Sequence, residues 1–177
     1  MEWSTRFDFQ IKLLMDNYDF FIQPNLPAVK RIADELVDFD LKEMCCQLID
    51  KVTREINYNT DNIVWGKREF WQTPAETLMF KTADCADFTF LASSILQRKG
   101  IPHRIVFGFL ANEMNERARW AAQFNRVGHA WLEIVEDGRW IYVLEFTKPF
   151  LFILDGNDTD PYHDTWYWPE VYLEWNG

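Results

Sequence analysis

Nothing in the 177-residue chain approaches the roughly 18 consecutive apolar residues that a membrane-spanning helix needs. Its opening, Met1-Glu2-Trp3-Ser4-Thr5-Arg6, lacks the basic start and apolar run of a secretory leader. Three cysteines (Cys45, Cys46 and Cys85) are too few for a disulfide framework, and two of them are adjacent. The expectation is a cytoplasmic chain whose cysteines stay thiols. Basic residues are scarce as well: 18 Lys and Arg stand against 28 Asp and Glu, for a net charge of −10. That balance argues against nucleic acid or an anionic membrane surface as a partner, since both need clustered cations. Internal repeats, low-complexity tracts and Gly/Ser-rich linkers are missing, so one domain over residues 1–177 is expected. Metal-ligand spacing is missing too. His103 and His163 have no partners at zinc spacing. Asp155, Asn157 and Thr159 imitate the start of a calcium loop, but Asp160 stands where that loop needs Gly and Trp166 where it needs Glu. No metal or cofactor is expected.

What the chain has in plenty is aromatic surface: 15 Phe, 9 Trp and 6 Tyr, or 17% of residues. Such a load suits a dense core or an aromatic-lined groove. Residues 7–22 fit both strand alternation and helical spacing, and Pro24 and Pro27 break the segment. Helices are predicted over 28–38 and after Asp40, the second carrying Leu41, Met44, Cys45, Leu48, Ile49, Val52 and Ile56 on one face. Thr73-Pro74-Ala75-Glu76 supplies an N-cap, a Pro in the first turn and a Glu to close a capping box. A further helix runs from near Asp84 to Gly100, with Arg98 and Lys99 in its last turn. Strands follow at 105–110, 129–135, 139–147 and 150–154, then a turn and an aromatic tail ending at Trp175. Helices first and antiparallel strands later is the α+β order.

Cys85 begins the helix after Asp84. Unpaired backbone N–H groups and the positive end of the helix dipole favour a thiolate there. It lies three residues before the core position Phe88, which turns it inward. His129 opens the first strand of a hairpin turning at Glu136-Asp137-Gly138. A three-residue loop at those positions sets His129 opposite Glu145 on one sheet face, where the carboxylate can fix the imidazole tautomer. A two-residue Asp-Gly turn sets His129 opposite Phe146 and sends Glu145 to the other face. A Cys85–His129–Glu145 triad therefore demands the odd register or a bulge. Taken singly, each residue has a plain alternative: a core cysteine, a hydrogen-bonded structural histidine, a carboxylate paired with an arginine.

In order, Trp71-Gln72-Thr73-Pro74-Ala75-Glu76, Ala83-Asp84-Cys85-Ala86-Asp87, Gly100-Ile101-Pro102, Gly128-His129-Ala130-Trp131-Leu132-Glu133, Gly138-Arg139-Trp140 and Glu145-Phe146-Thr147 resemble the transglutaminase-like superfamily. The look is that of its bacterial cysteine peptidases. The resemblance implies a papain-like α+β core over about 45–148, with 1–44 as a helical extension and 149–177 as aromatic C-terminal strands. It implies Cys85 as nucleophile, His129 as general base and acid, and Glu145 as the orienting carboxylate, with an acyl-enzyme on the path. The Cys85 N–H is one oxyanion donor, and Gln72 and the Trp71 indole are candidates for the second. Trp65, Trp71 and Trp131 are candidate groove walls, and residues 112–126 a candidate lid. The expected partner is a protein or peptide substrate. Transfer of the acyl group to an amine, or a non-catalytic binding domain on the same fold, are the alternatives. Two positions depart from the family pattern. Ala83 stands where Gly is usual, so a strained left-handed residue is expected there. Glu145 stands where Asp is usual. Some relatives bind calcium through acidic neighbours of the Cys, but Ala86 interrupts that run here.

Overall fold

In the computed structural model, residues 4–37, 40–66, 70–110, 127–159, 161–162 and 167–177 are described. The helix that begins at Cys85 organises them. Asp84 caps it: Oδ1 accepts the Ala86 and Asp87 N–H groups at 2.8 and 3.1 Å, and Asp87 Oδ2 accepts the Asp84 N–H at 3.1 Å. Gly100, left-handed with φ 73°, ends it. In chain order the helices are α1 (Ser4–Asp16), α2 (Tyr18–Phe21), α3 (Pro27–Glu35), α4 (Leu41–Glu55), α5 (Asp61–Val64), α6 (Pro74–Phe80) and α7 (Cys85–Lys99). The strands are β1 (Asn57–Tyr58), β2 (Thr82–Ala83), β3 (His103–Leu110), β4 (Val127–Glu136), β5 (Trp140–Glu145), β6 (Phe150–Asp155) and β7 (Tyr167–Trp175). The ambiguous N-terminal segment is helical. Residues 112–126, the candidate lid, lie outside the described residues.

The spacing predicts one buried face for α7, yet every residue from Ala86 to Leu96 is buried. A helix buried all round must sit between layers, and α7 does. It packs against α3, α4 and α6 on one side and against β3 and β4 on the other. Its buried hydroxyls are satisfied locally. Thr89 donates to the Cys85 carbonyl at 2.7 Å, Ser94 donates to the Phe90 carbonyl at 2.8 Å, and Ser93 pairs with His103 Nε2 at 2.7 Å.

The main sheet has the order β6-β5-β4-β3-β7, with every neighbouring pair antiparallel. The C-terminal tail is thus an edge strand that returns past β4 and β5 to pair with β3. Alternation separates two faces. Ala130, Leu132, Ile134 and Leu144 join the core around α7. Trp131, Val143 and Ile141 face the other way, onto Tyr162 and Tyr167. Mixed helix and antiparallel sheet is the α+β architecture that the sequence implies. No helix of the described residues is long and apolar enough to cross a membrane.

Two positions make the packing testable. Gly108 pairs with His129 on one side and Pro169 on the other. A Cβ there would lie 2.2 Å from the Trp168 carbonyl oxygen and 2.7 Å from the Trp131 ring. Gly108→Ala is expected to cost about 3 kcal/mol, read from the urea midpoint, because backbone on one side and a fully buried indole on the other cannot yield cheaply. His103, 5% exposed, stays neutral because burial pushes its pKa from 6.5 down to about 4. The unfolded chain therefore takes up this proton first. Stability present above pH 6.5 should fall by about 3 kcal/mol at most as pH drops to 4. A urea series across that range should flatten in His103→Leu.

Candidate active site

β1 and β2 form a parallel pair in register Asn57–Thr82 and Tyr58–Ala83. The Asn59 N–H continues it by donating to the Ala83 carbonyl at 2.9 Å. The residues leading into Cys85 are thus held extended. The left-handed strain expected at Ala83 does not occur, because Ala83 is in β2. The left-handed residue is Lys81, at φ 56°, which closes α6. At that position an αL helix cap tolerates Lys at modest strain.

Cys85 opens α7 and is half-buried. Its surroundings oppose the simple expectation of a dipole-stabilised thiolate. Burial first, then the Asp84 carboxylate, push the thiol well above its ordinary range. The Ala130 N–H, donating to the sulfur, pulls the other way, and Glu145 and Asp87 add to the upward push. The free N–H groups that would favour an anion are partly taken by the Asp84 cap. Among the described residues the sulfur makes no hydrogen bond to the imidazole; its partner is Ala130, next in chain to His129.

The β4–β5 register differs from both turns considered above. Glu136 pairs with Trp140 and Leu132 with Leu144, so the three-residue loop is Asp137-Gly138-Arg139, one residue later than expected. Asp137 and Gly138 both take positive φ, 52° and 66°. The loop is still odd in length, so His129 and Glu145 share a face, but diagonally and not directly opposite. The longer arm of Glu bridges the diagonal: His129 Nε2 and Glu145 Oε2 are 2.7 Å apart. Tyr167 donates its hydroxyl to the same oxygen at 2.6 Å. Thr147 donates its N–H and hydroxyl to Oε1, both at 2.7 Å. Burial pushes the Glu145 carboxyl up, but the donors, His129 foremost, outweigh it and hold the pKa below the ordinary value. With Glu145 ionised, Nε2 must carry the imidazole proton, which leaves Nδ1 as the basic nitrogen.

Cys85 is on the helix packed against one face of the sheet, and His129 projects with Trp131 from the other. The β4–β5 ladder stops at Leu132–Leu144, short of His129, and the sulfur meets β4 through the Ala130 N–H, next in chain to His129. The remaining candidates act as supports. Gln72 is fully committed through its donors: N–H and Nε2 reach Asp87 at 2.7 Å each, and Nε2 also reaches the Thr82 carbonyl at 3.1 Å. Trp71 packs on Phe21, Phe90 and Phe107. Trp131 stacks on the His129 ring at 5.9 Å and donates Nε1 to Glu133 at 3.0 Å. Trp65 packs on Phe70 and Phe80. None of the described contacts directs Gln72, Trp71 or Trp131 at the sulfur. Asp87 is buried, and burial together with Asp84 pushes its pKa to about 8. Asp84 Oδ1 and both Asp87 oxygens accept N–H groups, and no step is derived through a calcium ion.

Three site residues escaped the sequence reading. Thr147 was visible in the Glu-x-Thr spacing, which brings a hydroxyl back on the carboxylate two residues earlier. Tyr167 gave no local signal, because only the β3–β7 pairing delivers it. Tyr58 is part-exposed, and after burial the charge of Cys85 is the largest influence raising its hydroxyl. The register with Ala83 puts it beside the candidate nucleophile.

Four donors converge on Glu145, so an amide there would set an NH₂ against another donor. Glu145→Gln is expected to cost about 2 kcal/mol at neutral pH by urea titration. In the wild type, the contribution of this lowered carboxyl is present above its unfolded value of 4.5 and is lost as pH falls through the folded one. That loss should be missing from the variant.

A family model of the transglutaminase-like superfamily matches residues 29–143, which include Cys85 and His129 and stop two residues before Glu145. None of the curated proteins matches. Among solved structures, LapG of Legionella pneumophila is similar at TM-score 0.58 and 17% identity, over 82% of this chain and 72% of that one. EGTA-treated LapG gives 0.50 and 20%, over 80% and 68%. A candidate cysteine protease of Cytophaga hutchinsonii gives 0.53 and 15%, over 88% of this chain and 51% of that one. At these identities the likeness is one of fold.

Proposed function

The chain belongs to the transglutaminase-like superfamily, and from that premise we propose that it is a thiol hydrolase of amide or peptide bonds. The observation that carries the reading is the buried 2.7 Å contact between His129 Nε2 and Glu145, at the end of β4 whose Ala130 N–H reaches the Cys85 sulfur. The free base Nδ1 takes the thiol proton as sulfur attacks the substrate carbonyl carbon. Because the resting thiol is held neutral, proton transfer accompanies attack and no stored thiolate is needed. The oxyanion forms near the Cys85 N–H, which Asp84 does not use. The imidazolium returns its proton to the departing amine. Water, deprotonated by Nδ1, then attacks the thioester, releasing the acid and restoring the thiol. The expected substrate is a protein or peptide, and the expected compartment is the reducing cytoplasm. An amine in place of that water makes the same site a transglutaminase.

A second reading has its own support. The raised thiol and the missing sulfur–imidazole hydrogen bond also suit a binding domain that retains the fold. Iodoacetamide labelling against pH, with each adduct located by mass spectrometry, separates the two. The hydrolase reading expects Cys85 to outpace exposed Cys46 near neutral pH, and His129→Ala to slow Cys85 by about 100-fold. A Cys85 slower than Cys46 at every pH, and indifferent to His129, hands the case to the binding domain. Incorporation of a labelled amine into a Gln-containing protein tests acyl transfer.

A further inference from the structure

The two oxygens of Glu145 are used differently. Oε1 is held from nearby in the chain, by both donors of Thr147. Oε2 is shared by two donors from distant strands, His129 Nε2 at 2.7 Å and the Tyr167 hydroxyl at 2.6 Å. The Tyr167 ring is itself part of the wall around the imidazole, with its centroid 5.9 Å from His129 and 5.3 Å from Trp131. Phe152 supports it from behind at 5.0 Å.

We propose that Tyr167 is a positioning residue that sets how strongly Glu145 holds His129, by competing for the oxygen they share. The inference rests on the hydrolase reading above. Two donors on one oxygen each draw on the same negative charge, so each bond is weaker than it would be alone. Burial, and then the charge of Glu145, keep the Tyr167 proton in place, so it remains a donor across the working pH range. The hydroxyl thereby tempers the carboxylate. Without it Glu145 would bind the imidazolium more tightly and pull the proton of Cys85 more readily toward His129.

Tyr167→Phe removes the donor and keeps the ring. With isotope-labelled histidine, the Nε2–H proton of His129 can be followed, since the chain has only 3 His to assign. The expected result is a downfield move of that proton, together with faster iodoacetamide labelling of Cys85 at neutral pH, by up to about tenfold for one hydrogen bond to a charged group. Phe152→Leu loosens the same ring without touching the hydroxyl and should move neither readout. An unmoved proton in Tyr167→Phe, slower labelling, or an equal response from Phe152→Leu would overturn the proposal. A wild-type Cys85 inert to alkylation, with the proton still moving in Tyr167→Phe, would overturn only the hydrolase reading and leave the Tyr167–Glu145–His129 coupling standing.

Discussion

A carboxylate 1% exposed stays ionised only if its lone pairs are matched by donors, and at Glu145 four hydrogen bonds do this. The site depends on that match. The donors come from β4, from the turn after β5, and from β7, so the carboxylate ties together strands far apart in sequence. Removing its charge leaves buried donors without an acceptor, a penalty larger than the net worth of a single bond. The imidazole inherits its tautomer and orientation from this arrangement. Its ring is confined further by Trp131, whose own indole is anchored to Glu133. That second carboxylate, fully buried, is in turn met by Arg104 at 2.5 Å and by Tyr162.

Cys85, the candidate nucleophile, sits under an opposite constraint. Helix N-termini favour anions, but α7 begins with an Asp cap and a second Asp three residues on. Beyond burial, Asp84 and more weakly Asp87 push the thiol up. The dipole that would serve the thiolate serves the carboxylates instead. On the proposed hydrolase reading, deprotonation at Cys85 is coupled to proton uptake at His129, and the strength of the Glu145–imidazole bond sets how far that transfer goes. On that reading, an oxygen shared between His129 and Tyr167 bears on a sulfur that neither Tyr167 nor Glu145 is bonded to.

Local chemistry was legible in the chain; contacts made by returning strands were not. The Thr73 capping box, the helix start near Asp84 and the Gly100 stop are short-range patterns, and they stand where the spacing places them. The parity of the hairpin was legible too, because an odd loop keeps His129 and Glu145 on one face wherever it begins. Its position was not, since the chain uses Asp137 in the left-handed region beside Gly138 and turns one residue later. Asn and Asp tolerate that region well enough for either choice. Ala83 misled for a related reason: a Gly preference marks a backbone conformation, and here the chain makes its left-handed turn at Lys81. The full burial of α7 was hidden because Thr89, Ser93 and Ser94 look like solvent positions until their hydroxyls are seen bonded inside the core.

Tyr167 shows why an aromatic tail is hard to read. Its alternation marks it as a strand, but the partner and direction are set by which edge is open. β4 already carries β3 and β5, which leaves the outer edges of β6 and β3, and the tail takes that of β3. Pairing there forces a close approach: Pro169 lies opposite Gly108, the register shifts between Phe107 and Gly108, and no side chain larger than hydrogen fits between Trp168 and Trp131. Gly108 is thus a condition for Tyr167 reaching Glu145. A glycine in the middle of a buried strand, with no positive φ to explain it, is the one mark in the sequence that another backbone must pass close to the strand bearing His129.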